Sequence, residues 1–430
     1  MKNLLNGFRA FTAFLLFFPL IAFCQPENSG KMENTIFKKN IATVLLFKNG
    51  FEMSAPVIGL TSGEKIKLSF DDLDGDLKSY RFTIQHCESD WTLSEDITPG
   101  DYIDGLREDN INDFSYSYNT TTRYTHYSAL FPTSSMRPKI SGNYLIRVFT
   151  DDPSDPVLIW RFMVYESTSV TIEGELKQAI EVADRYSRQQ VCFNVKLNGM
   201  QIASPFQEIK TVITQNDRWD NAITGLKPRF TKSDALDYYW DQGNVFNGGN
   251  EFRAFDTKSL ITQTERIRKI DYDKYGYEVW LLNDESRAMK NYVKDADING
   301  RRLIKNEEQA KNSDIEADYA WVHFCLPAVA TPFQGDVFIL GALTAWQAND
   351  DSKMDYDSQT RTYIKELFLK QGYYNYMYVV KNKKSGTLDE TLIEGNHWET
   401  ENEYTVWIYY REITGLTDRL IAVQNFSFKK

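Results

Sequence analysis

The sequence IKLSFDDLDGDLKSYRFTIQHCESDW, from Ile66 to Trp91, decides the fold of this chain, and its pattern continues to Glu166. Apolar and aromatic residues alternate with polar ones, and short clusters of turn-forming residues interrupt them. The later blocks are DYIDG (101–105), FSYSYNTTTRYTHYSALFP (114–132) and SGNYLIRVFTDDPSDPVLIWRFMVYE (141–166). A period of two between closely spaced turns is typical of half-buried antiparallel strands in a β-sandwich. The stretch therefore predicts a scaffold and not a catalytic centre.

Composition places the chain among globular proteins rich in strands. With 430 residues it exceeds the usual size of one core, so its length favours two or three domains. Aromatic residues make up 14% of the chain, and they favour strands. We therefore predict an all-β fold of tandem immunoglobulin-like or fibronectin-like β-sandwiches. The net charge of −11 argues against nucleic acid and against anionic membrane surfaces as partners.

The first 24 residues have the features of a secretory signal peptide. A basic start is followed by an apolar run from Phe11 to Phe23 and by the short residue Cys24. Such a segment is removed on export and is too short to hold a membrane, so we expect a soluble mature protein that begins at Gln25. Attachment of a lipid to Cys24 is the alternative, although the bulky Phe23 before it fits that processing poorly.

Changes in composition divide the mature chain into segments. We predict a linker at 25–39, a first sandwich at 40–166, a second sandwich at 167–317 and a third at 318–430. The last boundary follows the charged stretch GRRLIKNEEQAKNSDIEAD (300–318), which lacks the period of a strand.

Three cysteines remain after the signal peptide, one in each predicted sandwich. They are Cys87, Cys192 and Cys325, and each lies in an apolar, strand-like context. An odd number in an oxidising compartment predicts buried thiols, or one disulfide with one cysteine left over. Three small apolar side chains in three cores is the favoured interpretation.

Several long blocks of the first segment carry a family resemblance. SFDDL (69–73), HCESDW (86–91), DYIDG (101–105), SYNTTTRYTHY (117–127) and SGNYLIRVF (141–149) resemble the first domain of the plug proteins of the type IX secretion system of Bacteroidetes. NEFRAFD (250–256) and the Tyr-rich C-terminal third continue the resemblance. It implies a periplasmic protein that seals the periplasmic mouth of the large outer-membrane translocon barrel.

The C-terminal segment resembles a second group, the early-set immunoglobulin-like modules that bind glycogen and starch. GDVFILGALTAW (335–346) matches the strand and turn with a sugar-stacking tryptophan, which implies that role for Trp346, and LKQGYYNYMYVV (369–380) matches the next hairpin. However, Met377 stands where the hairpin should carry a basic residue, and no second tryptophan follows Val380. We therefore expect Trp346 to be a core residue, with carbohydrate as a less favoured partner.

One irregular segment of the second sandwich could present an aromatic surface. KSDALDYYWDQGNVFNGGNEFRAF (232–255) contains Tyr238, Tyr239 and Trp240 beside a loop with two consecutive glycines. These three rings either cap the core or form an exposed binding surface, and core capping is the more frequent arrangement. With Trp346, they are the candidate binding residues of the chain.

The sequence lacks the local motifs of catalysis. The four histidines, which are His86, His126, His323 and His397, never fall at the spacing of metal ligands. No CxxC pair, GxSxG elbow or phosphate-binding loop occurs. We predict no catalytic, metal-binding or cofactor-binding residues, no cofactor and no enzymatic activity.

The acidic run DDLDGD (71–76) invites a calcium interpretation, because Ca²⁺ prefers oxygen ligands. Aligning Gly75 with the glycine of an EF-hand loop puts Phe70 at the first ligand position and Arg81 at that of the bidentate glutamate, so the pattern fails. A solvated hairpin turn between LSF (68–70) and YRFTI (80–84) is the favoured interpretation.

These observations lead to one functional prediction and two alternatives. We predict a non-catalytic periplasmic plug that binds and seals the type IX translocon barrel at the outer membrane. The first alternative is a secreted carbohydrate-binding protein that acts through the C-terminal segment. The second is an extracytoplasmic hydrolase, for which the sequence names no residue.

Overall fold

Thirty-one β-strands, four single-turn α-helices and one short 3-10 helix (Ala342–Thr344) make up the regular structure of the residues that the computed structural model describes. These residues are 30–232, 234–240, 242–308, 310–328 and 333–428, so the predicted signal peptide lies outside them. The predicted all-β, sandwich-like architecture is confirmed. No described helix has the length and apolar content needed to cross a membrane.

Twelve strands and one helix form the first sandwich. They are β1 (Thr35–Ile36), β2 (Ile41–Lys48), β3 (Val57–Gly59), β4 (Ile66–Asp72), β5 (Arg81–Cys87), α1 (Pro99–Tyr102), β6 (Ile103–Gly105), β7 (Asp109–Asn110), β8 (Asp113–Tyr116), β9 (Thr125–Phe131), β10 (Met136–Pro138), β11 (Gly142–Phe149) and β12 (Leu158–Tyr165). One sheet has the order β1-β12-β11-β5-β7, with β3 beside β12, and the other has the order β2-β4-β9-β8. The predicted linker is thus partly structured, because β1 joins the sheet edge.

The pleat of β4 shows why this sequence folds as a sandwich. Ile66, Leu68 and Phe70 alternate along the strand and enter the core between the two sheets. In β11 and β12 the other face is buried as well, since Leu145 and Ile159 contact the second sandwich. Both strands consequently read as nearly continuous apolar runs.

The second sandwich begins with seven strands and one helix. They are β13 (Thr171–Gln178), β14 (Arg188–Lys196), α2 (Pro205–Glu208), β15 (Ile209–Gln215), β16 (Arg218–Thr224), β17 (Phe230–Lys232), β18 (Ala235–Asp237) and β19 (Val245–Asn247). One sheet has the order β13-β14-β18-β17, with β19 beside β14. The second sheet contains β16 and β15 and is completed only by strands from the end of the chain.

A third sandwich, here called the insert, follows β19. Its elements are β20 (Arg253–Asp256), β21 (Ile267–Asp273), β22 (Gly276–Leu281), β23 (Arg302–Ile304), α3 (Ser313–Glu316), β24 (Tyr319–Pro327), β25 (Asp336–Leu340), β26 (Asp355–Asp357), β27 (Thr362–Lys370), β28 (Gly372–Lys381), β29 (Leu388–Asp389) and α4 (Thr391–Glu394). Strand β28 is the centre of one sheet, and β21-β22-β24-β27-β26 form the other.

The chain then returns to the second sandwich. Strands β30 (Glu403–Tyr410) and β31 (Arg419–Ser427) extend its second sheet in the order β16-β15-β30-β31, with Ile213 opposite Val406. The segments predicted at 167–317 and 318–430 therefore do not correspond to the sheets. The second sandwich is discontinuous in sequence, and the insert lies between its two parts.

The two ends of the insert lie side by side. The backbone amide of His397 donates to the carbonyl of Gly249 (2.8 Å), and the side-chain amide of Asn402 donates to the carbonyl of Gly248 (2.8 Å). A Cβ atom at Gly248 would come within 2.0 Å of the carbonyl oxygen of His397, so only glycine permits this approach. The crossing ties the insert to the sandwich that it interrupts.

Candidate functional site

The three sandwiches meet around a cavity of about 360 Å³, here called the junction cavity. Its wall combines Trp91 and Arg161 of the first sandwich with Trp219 of the second, and with Arg302 and Trp346 of the insert. Concave sites with aromatic walls and a few polar groups are typical of ligand binding. Its described lining also includes five carboxylates, those of Glu33, Glu52, Asp90, Asp217 and Asp220.

Tryptophans form the wall between the first and second sandwiches. Trp91 meets Trp219 edge to face, with ring centroids 5.0 Å apart, and Trp219 lies 5.7 Å from Trp407. The guanidinium of Arg161 stands 4.5 Å from the centroid of Trp91, a cation–π contact. Packed rings and a stacked cation hold this wall in one arrangement.

Trp346 forms the wall on the side of the insert. It is half-buried, its ring centroid lies 5.9 Å from that of Phe252, and the guanidinium of Arg218 stands 5.5 Å from it. Gly300 lies beneath it, since a Cβ atom there would come within 2.3 Å of the indole. Trp346 thus faces the junction cavity and neighbouring side chains instead of forming an open platform.

The other three candidate residues belong to the second sandwich and do not line the junction cavity. Tyr238 is buried and stacks on Phe193 at 4.7 Å, and burial raises its pKa to about 12. Tyr239 is half-buried, with Lys177 5.5 Å from its ring, and the indole of Trp240 donates to a backbone carbonyl at 2.7 Å. Tyr238 thus lies in the core beneath the sheet, whereas Tyr239 and Trp240 lie at its rim.

A buried ion pair joins the first sandwich to the insert. The ammonium of Lys370 lies 2.6 Å from the carboxylate of Asp71, and both side chains are 1% exposed. Asp71 also accepts hydrogen bonds from the hydroxyl of Tyr319 (2.7 Å) and from the imidazole of His126 (2.7 Å). The Lys370 ammonium stands 4.1 Å from the ring of Tyr124. Charge, hydrogen bonds and a cation–π contact therefore converge at this junction.

The electrostatics of Asp71 follow from these contacts. Burial alone would raise its pKa, but the charge of Lys370 and the hydrogen bond from His126 outweigh burial and hold the pKa below its usual range. The carboxylate is therefore ionised at neutral pH. Burial also lowers the pKa of Lys370, although the charge of Asp71 favours its ammonium form.

A second polar cluster joins the first and second sandwiches. Asp418 accepts from the backbone amide of Ser89 (2.9 Å) and from Lys210 (2.9 Å), while Arg411 pairs with Glu88. Burial favours the neutral acid at Glu88 and raises its pKa, whereas at Asp418 the bonds from Lys210 and Ser89 outweigh burial and lower the pKa. The cluster carries ionised groups at the contact between the two sandwiches.

His86 lies next to this cluster as a neutral imidazole. Its Nε2–H donates to the carbonyl of Ser141 (3.2 Å), and Nδ1 faces the hydroxyls of Ser94 and Thr417. Burial lowers its pKa to about 4. His86 is thus a hydrogen-bonded structural residue.

The acidic loop holds a lysine among its carboxylates. Asp72, Asp74 and Asp76 converge on the ammonium of Lys78, which lies 2.7 Å from Asp72 and 3.2 Å from Asp76. Burial alone would lower the pKa of Lys78, but the bonds from these carboxylates raise it. The prediction of a hairpin turn is wrong, because β4 and β5 belong to different sheets and the loop crosses between them.

The three cysteines within the described residues are free thiols, but they are not three equivalent core residues. Cys87 lies in the apolar cluster between the first and second sandwiches, where burial raises its pKa to about 12. Cys325 of the insert is only half-buried.

Sequence reasoning missed most of the junction cavity. Trp91 stands inside the block HCESDW, but nothing in the local pattern distinguishes it from the other aromatic residues. Arg161 occupies one position of an apolar strand between Trp160 and Phe162, which is the one signal available, since a charge in a doubly buried strand needs a reason.

Comparisons with known proteins support the sequence resemblance. A family model described as "Type 9 secretion system plug protein 1st domain" matches residues 41–166. Among the solved structures, 17 chains match, and one is a crystal structure, at 2.30 Å resolution, of a hypothetical protein from Parabacteroides merdae. It shares 32% identity with this chain, with a TM-score of 0.89, and the similarity covers 93% of this chain and 100% of the other. A search of the curated proteins found no match. The structural similarity extends over all three sandwiches.

Proposed function

We propose that this chain, which belongs to the type IX secretion plug protein family, is a non-catalytic plug. It seals the periplasmic opening of the outer-membrane translocon barrel. The match of the first-domain family model to residues 41–166 carries this proposal. The expected compartment is the periplasm, which the signal-peptide features of residues 1–24 support.

The contacts between the sandwiches support a rigid occluding body. Each sandwich touches both of the others: Asp71 meets Lys370, Ser89 meets Asp418, and Arg301 of the insert pairs with Asp217 of the second sandwich at 2.7 Å. A body closed in this way resists hinge motion better than sandwiches joined only by linkers would. A protein that blocks a channel needs this resistance to hinge motion.

The side-chain chemistry supports a protein that works by contact. Among the described histidines, His86 is kept neutral by burial, and His126 is engaged with Asp71 at the junction. The one acidic triad of the described residues surrounds Lys78. These groups have structural partners, and none forms a nucleophile with an adjacent base.

Capture from native membranes tests the proposal. The full chain, tagged at its C-terminus, is expressed in a bacterium with a type IX system, lightly cross-linked and purified from outer membranes. An outer-membrane barrel of the translocon should be the main cross-linked partner. A tagged periplasmic β-sandwich protein of another family serves as the control, and equal recovery of the barrel with that control would contradict the proposal.

Loss of sealing provides a second readout. Deleting the gene should make the outer membrane permeable to solutes that ordinarily do not cross it, and the full chain should restore the barrier. Unchanged permeability after deletion, in a strain whose translocon is present, would contradict sealing even if binding were found.

Carbohydrate binding through the insert is the alternative proposal. The half-buried Trp346, in contact with Phe252 and Arg218, offers little free ring surface to a glucan. Titration calorimetry with starch, glycogen and cyclic glucans tests it, and absence of heat with all three would exclude it.

A further inference from the structure

The backbone is strained at two bulky residues of the junction cavity. Trp91 has φ of 70° and Trp346 has φ of 60°, and Ala345 before it has φ of 52°. Left-handed conformations are uncommon for residues other than glycine, and they cluster at binding and active sites. The amide of Trp91 donates to the carbonyl of Glu88 (2.9 Å), so hydrogen bonding holds the strained turn in place. Two such tryptophans in the lining of one cavity point to a site with a set geometry.

Two guanidinium groups in the wall have no carboxylate partner among the described residues. Arg161 donates through Nε to the carbonyl of Met32 (2.6 Å), and Arg302 donates to the carbonyl of Val44 (2.5 Å). Burial lowers the pKa of Arg302, although the charge of Asp71 acts in the opposite direction, and burial lowers the pKa of Arg161 to about 10.

The same wall also carries five acids, of which two form ion pairs with cations. Asp217 pairs with Arg301 and Asp220 pairs with Arg218, both at 2.7 Å. Glu33 is the acid whose charge acts on Arg161, but it lies beyond ion-pair distance. Glu52 and Asp90 also form no ion pair among the described residues, so unpaired cations and unpaired acids share this wall.

A third observation concerns the indole of Trp91. Its Nε1–H is buried and has no hydrogen-bond acceptor among the described residues. Buried donors are nearly always satisfied, and exceptions require an explanation such as a missing water, ion or ligand. Arg161 and the indole of Trp91 thus both supply hydrogen-bond donors to this wall.

We propose that the junction cavity binds an apolar carboxylate, with the carboxylate held by Arg161 and Arg302 and the hydrocarbon body between Trp219 and Trp346. Arginine is suited to carboxylates because its planar donors match both oxygens. A volume of about 360 Å³ accommodates a ligand of about a dozen non-hydrogen atoms. Either a free aromatic acid or the C-terminal residue of a polypeptide carries this chemistry. The proposal does not depend on plug function.

Titration of the full mature chain tests it with three probes. They are 3-phenylpropanoate, a tetrapeptide with a C-terminal phenylalanine and a free carboxylate, and the same peptide with a C-terminal amide. Tryptophan fluorescence and calorimetry should both report binding of a carboxylate probe, because five tryptophans line the cavity. Tighter binding of the peptide acid indicates a chain terminus as the ligand, and tighter binding of the small acid indicates a free acid. Equal binding of the amide would overturn the role of the carboxylate.

Variants locate the site. Arg302→Gln should weaken binding of the carboxylate probe by about tenfold or more, because a hydrogen bond to a charged group is lost. Arg137→Gln, at an exposed position on β10, is the matched control and should leave the affinity unchanged. Arg302→Lys keeps the positive charge but loses the planar pair of guanidinium donors, so its affinity for the probe should be intermediate. This variant replaces Arg302→Gln in the test if Arg302→Gln does not fold.

A second measurement is independent of these variants. The indole N–H resonance of Trp91, assigned by comparison with Trp91→Phe, should shift when the carboxylate probe that binds is added. No binding of either acid at millimolar concentration, or binding that is equal in wild type, Arg302→Gln and Arg302→Lys, would overturn the proposal.

Discussion

The ion pair of Asp71 and Lys370 shows how strongly one side chain can affect the stability of this protein. Both are fully buried at the junction of the first sandwich and the insert, so removing one leaves the other charged and uncompensated. We expect Lys370→Met to lower the free energy of unfolding by about 3–5 kcal/mol. Urea denaturation at neutral pH, followed by tryptophan fluorescence, measures this loss.

An exposed ion pair of the same type is the matched control. Lys38 lies 2.9 Å from Asp155, but these side chains are 41% and 72% exposed. Lys38→Met should therefore change the free energy of unfolding by less than about 1 kcal/mol. Similar losses in the two variants would show that the Asp71 junction is hydrated in solution and contributes little.

His86 gives the stability a defined dependence on pH. Its ordinary pKa of 6.5 is lowered to about 4 in the folded protein because the imidazole is buried. Between these two pH values the unfolded chain binds a proton that the folded chain does not, so the free energy of unfolding falls as the pH falls from 6.5 to 4. The full effect of this one group is about 3 kcal/mol.

Replacing the imidazole isolates its contribution. His86→Gln retains a hydrogen-bond donor for Ser141 but cannot take up a proton in this range. The variant should lose less stability than wild type when chemical denaturation is compared at pH values on either side of 6.5. Parallel pH profiles would assign the acid sensitivity to other groups.

At the scale of elements, the sequence predicts strands reliably where one face is buried. The alternation of β4 and the apolar runs of β11 and β12 are visible in the sequence. Patterning reports which face of a strand is buried. It does not report which strand lies beside it.

That limit explains why the sequence pattern did not predict the discontinuous second sandwich. Strands β30 and β31 have the same apolar character as those of the insert, but β30 pairs with β15, far earlier in the chain, and β31 pairs with β30. The junction cavity was hidden for the same reason. Trp91, Trp219 and Trp346 come from three sandwiches and are brought together only by tertiary packing.

Hydrogen exchange in the full chain tests this connectivity. In mild denaturant, the amides of β15 and β30 should lose protection together, because they share one sheet. The amides of β24 and β27, which pair within the insert, form a separate group. Exchange of β30 together with β24, and not with β15, would contradict the discontinuous sandwich.

Two core variants, one in the second sandwich and one in the insert, test the same grouping of strands by hydrogen exchange. Val406→Ala removes buried methyl groups from the second sandwich and should speed exchange in β15. Ile339→Ala does the same in the core of the insert and should speed exchange in β27. Each variant serves as the control for the other.

At the scale of the whole molecule, covalent and non-covalent links act together. The insert is joined twice to the second sandwich through the crossing at Gly248 and His397, and it is joined to the first sandwich through Asp71 and Lys370. The first and second sandwiches share an apolar cluster that includes Leu145, Trp407 and Leu420. Loss of one sandwich thus exposes buried surface and charges on the other two.

We therefore expect the protein to unfold in one cooperative transition, although it has three cores. Differential scanning calorimetry should show a single peak for wild type. In the double variant Lys370→Met/Arg301→Ala, which loses contacts of the insert with both neighbours, the insert should melt separately at lower temperature. Ile339→Ala is the control, because it weakens the insert core without touching the junctions and should shift the peak without splitting it. Two peaks in wild type would mean that the sandwiches move independently, and a body of that kind could not seal a wide channel as the proposed plug must.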